Sequence, residues 1–315
     1  MSSLAPEKGE NNQNSGNLSR VPAPEWVQAD LRAQHDLAIV IVGWNVADFL
    51  EQNLRSLAKS RGSFRASVVL VDNASKDDTV TRTRALFPWV HVIANAENRG
   101  FAAACNQGIA ATRSRHVLLL NPDMRVQEDV LEKAMAYAEA HPDVGVFSGL
   151  LLQEDGSPLA SVRRMPDIWS QWLILTKLAK AWPKALSRYL CEDLDLHKEQ
   201  EVESVRGSFF CLTERALRVL GGLDERYFIW YEEVDYCRKV REYGLRIMHV
   251  PSIVAHDAFG KSFAQRDSYW KLAQFSRSMV QYFTLWQPWW QATLLRGTRL
   301  VVLMLARVWT LAKSV

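Results

Sequence analysis

Four short stretches place reactive side chains where ordinary packing does not ask for them. Asp123 follows an apolar run in Leu118-Leu119-Leu120-Asn121-Pro122-Asp123. A carboxylate at that point suits Mg²⁺ or Mn²⁺, because hard cations take oxygen ligands and bridge a carboxylate to phosphate groups. The same three residues, Asn-Pro-Asp, also make an ordinary turn. Asp72 ends the run Val68-Val69-Leu70-Val71. Its carboxylate can accept the imide N–H of a uracil or thymine ring, or simply open an Asx-turn or cap a helix. Glu232, Glu233 and Asp235 crowd one turn at a helix start. The helix dipole favours acids there, yet Glu232 and Asp235 are i, i+3 neighbours and repel. Trp230 and Tyr231 just before them predict partial burial, which raises a carboxyl pKa and suits a general base. His256 opens the loop His256-Asp257-Ala258-Phe259-Gly260-Lys261-Ser262. A neutral imidazole can complete a metal site or contact a diphosphate, and a lone histidine is equally an ordinary polar loop residue.

The elements that must carry these residues alternate. Short apolar runs predict strands at Leu37–Val42, Ser67–Val71, Val90–Ala94, His116–Leu120 and Val144–Leu152. Helices are predicted between them, with Asp48 as a cap before Phe49, Leu50, Leu54 and Leu57, and then over Asp77–Phe87, Gly100–Thr112 and Gln127–His141. This order implies an α/β fold with a mostly parallel sheet and right-handed crossovers. Ligands bind such sheets at the strands' carboxyl ends, which selects Gly43–Asn45, Asp72–Ser75, Asn95–Arg99 and Asn121–Asp123. The pattern is lost from Leu159 to about Val202, a stretch with Arg163, Arg164, Trp169, Trp172 and Trp182. Order returns at Val205–Val254, with Thr213 capping a short helix that stops at Gly221-Gly222 and a second helix from Tyr231 to Gly244.

Composition bounds the rest. The chain has 315 residues, 48% of them hydrophobic, enough for one sizeable core with additions. A net charge of +3 is too small to argue for nucleic acid. No GxGxxG or Walker A sequence follows the first strand, which disfavours dinucleotide enzymes and P-loop ATPases. Cys105, Cys191, Cys211 and Cys237 lack CxxC spacing and read as reduced, buried thiols of a cytoplasmic protein. No apolar signal segment opens the chain. Residues 1–34 are expected to be a disordered tail, clearest in composition up to about Pro24. The catalytic unit is then expected over 35–265, split near residue 150 into ligand halves, with a helical segment over 266–315.

Taken in order, the motifs resemble the family-2 glycosyltransferases, which have a GT-A fold, and most of all their rhamnosyltransferase-type branch. The resemblance rests on Val40-Ile41-Val42-Gly43-Trp44-Asn45, Val71-Asp72-Asn73-Ala74-Ser75 with Asp77-Asp78-Thr79, and Asn98-Arg99-Gly100-Phe101-Ala102 through Asn106-Gln107-Gly108. It continues in Leu120-Asn121-Pro122-Asp123, Arg206-Gly207-Ser208, Gly221-Gly222-Leu223-Asp224-Glu225 and Glu232-Glu233-Val234-Asp235, so it runs from about Leu37 to Ser262. It implies a nucleotide-sugar site with Gly43, Asn45, Asp72, Asn73, Asn98, Arg99, Gly100 and Asn121 around the donor and Asp72 on its base. It implies Asp123 on the metal, Mg²⁺ or Mn²⁺, with His256 offered to the metal or the diphosphate. Glu233 stands where the family places its base, with Glu232 and Asp235 as alternatives, and Arg163, Arg164, Arg206, Gly207 and Trp230 face the acceptor. The DxD-type motif reads Asn-Pro-Asp, so its first acid is absent, and the base is one methylene longer than the usual Asp.

The activity so implied is inverting transfer from a nucleoside-diphosphate sugar, dTDP-rhamnose first and UDP-linked sugars second. The acceptor is a lipid-linked or cell-surface glycan precursor; a UDP-hexose or N-acetylhexosamine transferase acting on polysaccharide or protein is the nearer alternative. A catalytically inactive, membrane-attached scaffold is the alternative of another class. The C-terminal segment bears on the acceptor. Pro288–Val315 carries Arg296, Arg299, Arg307 and Lys313 and no acid, in stretches well short of the ~20 residues a spanning helix needs. On a helical wheel the three arginines share one face and Leu, Val, Met and Trp fill the rest, the pattern of a helix lying in an anionic membrane surface. A helix packed on the catalytic unit or at a dimer contact would look similar. The expected location is therefore peripheral, at the inner face of the cell membrane.

Overall fold

The computed structural model describes residues 19–258 and 266–312. Strand β1 (Gln34–Gly43) leads through α1 (Ala47–Ala58) to β2 (Ala66–Asp72), α2 (Thr79–Leu86), β3 (His91–Ala94), α3 (Phe101–Ala110) and β4 (Arg113–Leu120). A short β5 (Met124–Val126), α4 (Val130–Ala140) and β6 (Val144–Leu152) follow. Then come β7 (Val162–Arg163), α5 (Ile168–Thr176), two 3₁₀ turns (Leu178–Lys180 and Pro183–Leu186), β8 (Gln200–Glu201), β9 (Ser204–Val205) and β10 (Phe209–Leu212). The chain ends in α6 (Glu214–Leu220), α7 (Glu232–Glu242), β11 (Arg246–Asp257), α8 (Ser268–Trp286) and α9 (Trp289–Ala312).

The main sheet runs β3-β2-β1-β4-β10-β6-β11-β5, with β8 added on β11. Its first four strands are parallel, and β11 is parallel to β6. The sheet is mostly parallel, as expected, with β10 entering antiparallel between β4 and β6 and with β5 and β8 antiparallel on β11. All four β10 residues are buried, so the sheet gains a fully covered central strand from a run too short to announce one. The core lies on both sheet faces, with Leu37, Ile39, Ile41 and Leu70 in one layer and Ala38, Val40, Leu119 and Phe210 in the other.

Two local expectations are corrected. Asp48 does not cap α1. The Val46 and Ala47 amides are taken instead by Thr79 Oγ1 (3.1 Å) and Asp77 Oδ2 (3.2 Å), and Asp48 pairs with Arg82 at 2.6 Å. The tail does not extend to residue 34. Residues 1–18 lie outside the described part, but Trp26 is buried, donates its indole N–H to the Ser60 carbonyl at 2.9 Å, and lies where Gln28 N–H meets the Ala66 carbonyl at 2.8 Å. An indole can bury about 1.5–3 kcal/mol or more of apolar surface, enough to anchor a polar leader.

The C-terminal helices are part of the body. Met279, Tyr282 and Phe283 of α8 and Ala292 and Leu295 of α9 are buried with Ile168, Leu175, Tyr227 and Tyr231. On α9 the arginines are partly committed inward: Arg299 Nε donates to Ser276 Oγ at 3.1 Å and Arg296 Nη2 to Thr284 Oγ1 at 2.9 Å. The face turned away from the body is apolar, with Trp290, Leu294, Leu300, Val301, Met304, Leu305 and Val308 exposed. Trp169 and Trp182, on and just after α5, are also largely exposed. No helix among the described residues is long and apolar enough to cross a membrane.

Candidate active site

One cavity opens where β1, β2 and β4 end and where the 228–233 segment approaches them. Gly43, Trp44, Asn73, Asn98, Gly100, Asn121, Asp123, Arg206, Gly207, Trp230, Glu232, Glu233 and Asp257 are among its lining residues. The loop geometry that makes it is specific. Gly100 has φ +87°, and a Cβ there would lie 2.6 Å from the Phe228 carbonyl oxygen, which already accepts the Phe101 N–H. Only glycine lets the two walls come this close. Asn73 holds the same corner, donating to the Gly100 carbonyl at 3.1 Å and accepting from Asn95 Nδ2 at 3.1 Å.

Asp123 and Asp257 form an acidic wall. Both are buried and both line the cavity. They sit side by side because β5 and β11 are antiparallel, with Asp257 opposite Met124 and the Ala258 N–H on the Asp123 carbonyl at 3.2 Å. The Asn-Pro-Asp segment is also a turn: Met124 N–H reaches the Asn121 carbonyl at 3.2 Å. Asn53 of α1, fully buried, clamps it by donating to the carbonyls of Asn121 (3.1 Å) and Met124 (2.9 Å). Two carboxylates beside space for a diphosphate are the donor set a Mg²⁺ or Mn²⁺ ion takes, since such ions use one or two protein carboxylates and fill up with phosphate oxygens and water. Among the described residues no cluster of three or more metal-type ligands occurs. His256 is not on the lining. Successive strand side chains point to opposite faces, and Asp257 is the one turned into the cavity.

The opposite wall is the start of α7. Trp230 and Tyr231 both have positive φ, +64° and +72°, a strained pair for bulky residues. Tyr231 is fixed by its hydroxyl on Gln171 Oε1 (2.6 Å), and Ser278 Oγ of α8 holds the Ile229 carbonyl at 2.7 Å. This turn aims Glu232 and Glu233 at the cavity. Burial raises Glu233 above the usual carboxylate range, partly offset by backbone N–H groups at the helix start and by Arg206. Its Oε2 has no hydrogen-bond partner among the described residues. Burial, then the charge of Glu233, pushes Glu232 well above that range. Asp235 is different. It is fully buried off the cavity, bonded to Trp286 Nε1 (2.7 Å) and Tyr227 Oη (3.3 Å) and paired with Lys239 (2.6 Å). It fastens α7 to α8 and is not on the cavity lining.

Other expected residues separate in the same way. Gly43, Asn73, Asn98, Gly100 and Asn121 line the cavity, whereas Asn45, Asp72 and Arg99 do not. Asp72 is 2% exposed and both its oxygens are taken by Ser75, through its hydroxyl and its N–H. Asn45 is spent on the same turn, accepting Lys76 N–H at 2.6 Å. On the acceptor side Arg206, Gly207 and Trp230 line the cavity, but Arg163 and Arg164 do not. Arg163 donates to the Ala160 and Val162 carbonyls, and Arg164 pairs with Asp193 at 2.5 Å. Asn106 is structural too: its amide bonds both Leu223 N–H and the Leu223 carbonyl at 2.8 Å, and a Cβ on Gly222 would collide with it at 2.2 Å. Asp257 and Asn53 are residues that sequence reasoning missed, and Trp44, inside the selected Gly43–Asn45 segment, was given no role of its own. Strand alternation beside His256 is the one signal that could have found Asp257. The four cysteines are all free and buried, as expected.

Comparison with known proteins shows what the chain as a whole is similar to. The model described as "Glycosyl transferase family 2" matches residues 38–192. An N-acetylglucosaminyl-diphospho-decaprenol L-rhamnosyltransferase of Mycobacterium tuberculosis is 28% identical over 281 residues, covering 83% of this chain and 90% of that protein. The chain is thus similar to glycosyl transferase family 2 over about half of its length. A rhamnosyltransferase of Escherichia coli is 24% identical over 174 residues, covering 53% of this chain and 62% of that one. The fold is GT-A: it superposes on a Pyrobaculum calidifontis mannosyltransferase solved with GDP-mannose and Mn²⁺, with a TM-score of 0.53 at 18% identity over 90% of this chain and 78% of that one. The chain is a nucleotide-sugar-dependent glycosyltransferase, similar in sequence to rhamnosyltransferases.

Proposed function

We propose that the transferase moves L-rhamnose from dTDP-rhamnose, with inversion, onto a hydroxyl of a lipid-diphosphate-linked glycan precursor at a membrane surface. The observation that carries this reading is the meeting of three acids in one cavity from separate segments, Asp123 and Asp257 on one wall and Glu233 on the other. The M. tuberculosis relative, whose name specifies a rhamnosyl donor and a diphospho-decaprenol acceptor, supports the choice of sugar and acceptor class.

In this mechanism Glu233 Oε2 accepts the proton of the acceptor hydroxyl as its oxygen attacks the anomeric carbon from the face opposite the diphosphate. The bond from that carbon to the diphosphate breaks, and the nucleoside diphosphate leaves with its electron pair. Burial of Glu233 makes it a better proton acceptor than a surface carboxylate. Asp123 and Asp257 would hold a divalent cation, which offsets charge on the leaving diphosphate when bound. Asn73, Asn98, Gly100 and Asn121 shape the donor side, and Arg206, Gly207 and Trp230 the acceptor side.

The membrane reading rests on α9. Its outward face is a row of Trp, Leu, Val and Met, with the exposed Arg296 and Arg307 on one flank. That is the arrangement of a helix seated in the headgroup layer of an anionic leaflet. The deciding experiment supplies purified transferase, Mn²⁺ and a polyprenyl-diphosphate-linked sugar with dTDP-rhamnose or a UDP-sugar. Mass spectrometry should show a deoxyhexose added only from dTDP-rhamnose. Preferential use of a UDP-hexose would replace the donor assignment, and turnover of no nucleotide sugar would overturn the reading.

A further inference from the structure

We propose that Arg266 is a donor-diphosphate ligand which, in the empty cavity, is parked over the indole of Trp44 and is displaced onto the diphosphate when a nucleobase stacks there. This rests on the donor-site reading and adds a residue and a movement to it. The Arg266 guanidinium carbon lies 4.0 Å from the Trp44 ring centroid and 4.8 Å from that of Trp270. All three side chains line the cavity that holds Asp123, Asp257 and Glu233. Among the described residues no carboxylate pairs with Arg266, so its charge is satisfied by ring faces alone.

Charge balance makes that parking informative. Among the described residues the cavity is lined by four acids, Asp123, Glu232, Glu233 and Asp257, and by two cations, Arg206 and Arg266. Arg206 acts on Glu233, so among the described residues Arg266 is the cation left for an incoming anion. The ring it covers is also well placed for a base. Trp44 follows Gly43 at the carboxyl end of β1, where ligands meet such sheets. A nucleobase stacks on indole as a guanidinium does, so the two compete for one face. Once displaced, a planar guanidinium finds its best partner in phosphate oxygens, which it can bind through two parallel hydrogen bonds.

The second ring ties this movement to the catalytic turn. Trp270 lies in the first turn of α8, where Asp267 caps the helix by accepting its N–H at 2.7 Å. Its ring packs edge-on to Phe228 at 6.3 Å and tilted to Trp230 at 6.2 Å. Arg266 therefore stands between the donor end of β1 and the segment that delivers Glu232 and Glu233.

The test measures binding of thymidine, dTMP and dTDP, and of uridine, UMP and UDP, by calorimetry in the presence of Mn²⁺. Wild type, Arg266→Ala and Arg266→Lys are compared, with thermal melting to check the fold. Arg266→Ala should weaken dTDP and UDP by about ten- to a hundredfold, the worth of a charge-assisted bond. Thymidine and uridine should bind as before or more tightly, because the Trp44 face is then free. Arg266→Lys, which keeps charge but not stacking, should fall between. Equal weakening of nucleosides and diphosphates would mark Arg266 as merely structural, and unchanged dTDP and UDP affinity would also overturn the proposal. A wild-type chain that binds none of the six would overturn the donor-site reading and this inference with it.

Discussion

Asp235 separates fastening from chemistry in the acidic cluster. Its carboxylate accepts the Trp286 indole N–H and the Tyr227 hydroxyl and faces Lys239 at 2.6 Å. Removing it in Asp235→Ala leaves two largely buried donors without an acceptor, each costing about 1–3 kcal/mol. Lys239 adds little, because it remains 3.4 Å from Asp224 and is 29% exposed. The sum is about 2–6 kcal/mol, a large part of a typical folding free energy of about 5–15 kcal/mol. Asp235→Asn keeps an acceptor for the indole and loses mainly the charge, so it should cost about 1–2 kcal/mol. Urea unfolding should rank wild type above Asn above Ala, with melting about 2–8 °C lower for the Asn variant. At a temperature where the Asn variant is folded, kcat should stay within about threefold of wild type, far from the 10²–10⁴-fold loss of a missing general base. Wild-type stability combined with a hundredfold loss of kcat would refute this reasoning and return Asp235 to the reaction.

Glu233→Gln should do the reverse, lowering kcat by about 10²–10⁴-fold with no loss of melting temperature. Because burial raises both Glu232 and Glu233, their contribution to stability is complete in acid, below the ordinary carboxylate range, and is lost as pH climbs through the raised folded-state values. Stability measured against pH should therefore fall less steeply on the alkaline side for Glu233→Gln than for wild type, while the rise of kcat/KM with pH in wild type should vanish. Asp257→Asn should raise the Mn²⁺ concentration needed for half-maximal turnover at least tenfold, and His256→Ala should not; the opposite ranking would restore the histidine to the metal site. Val301→Asp with Met304→Asp changes exposed positions and should shift stability by no more than about 0.5 kcal/mol per site. Flotation with phosphatidylglycerol vesicles should nonetheless be lost, and retained flotation would dismiss α9 as the contact.

The parts of the site that could be read from sequence are those that follow strands locally. Gly43, Asn73, Asn121 and Asp123 sit at ends of apolar runs, and the chain direction alone places them on one edge. The parts that could not be read depend on partners far away. Strand β10 is four residues whose neighbours, β4 and β6, lie some ninety and sixty residues earlier, so no local pattern signals its antiparallel entry. The choice of Asp257 over His256 is a matter of strand phase, and β11 changes register near Val250/Val254, which resets that phase. Asp72 and Asp235 have the right residue type in the right place, but hydrogen bonds to Ser75 and to Trp286 take them out of the cavity. The wheel of α9 was legible as amphipathic; which side met the body was decided by α5 and α8.

The late arrival of β10 also governs how this chain is made. During synthesis β6 is complete at residue 152, yet both of its edges wait for partners that begin at residues 209 and 246. One edge of β4 waits as well. The nascent first half is then a run of nearly all-apolar strands with open edges, the kind of surface that pairs with other chains. Closing it joins segments of high sequence separation, a slow step by topology alone. Fragments ending near residue 192 should accordingly aggregate rather than fold, and yield in expression should depend on chaperone supply over the interval in which residues 153–257 emerge.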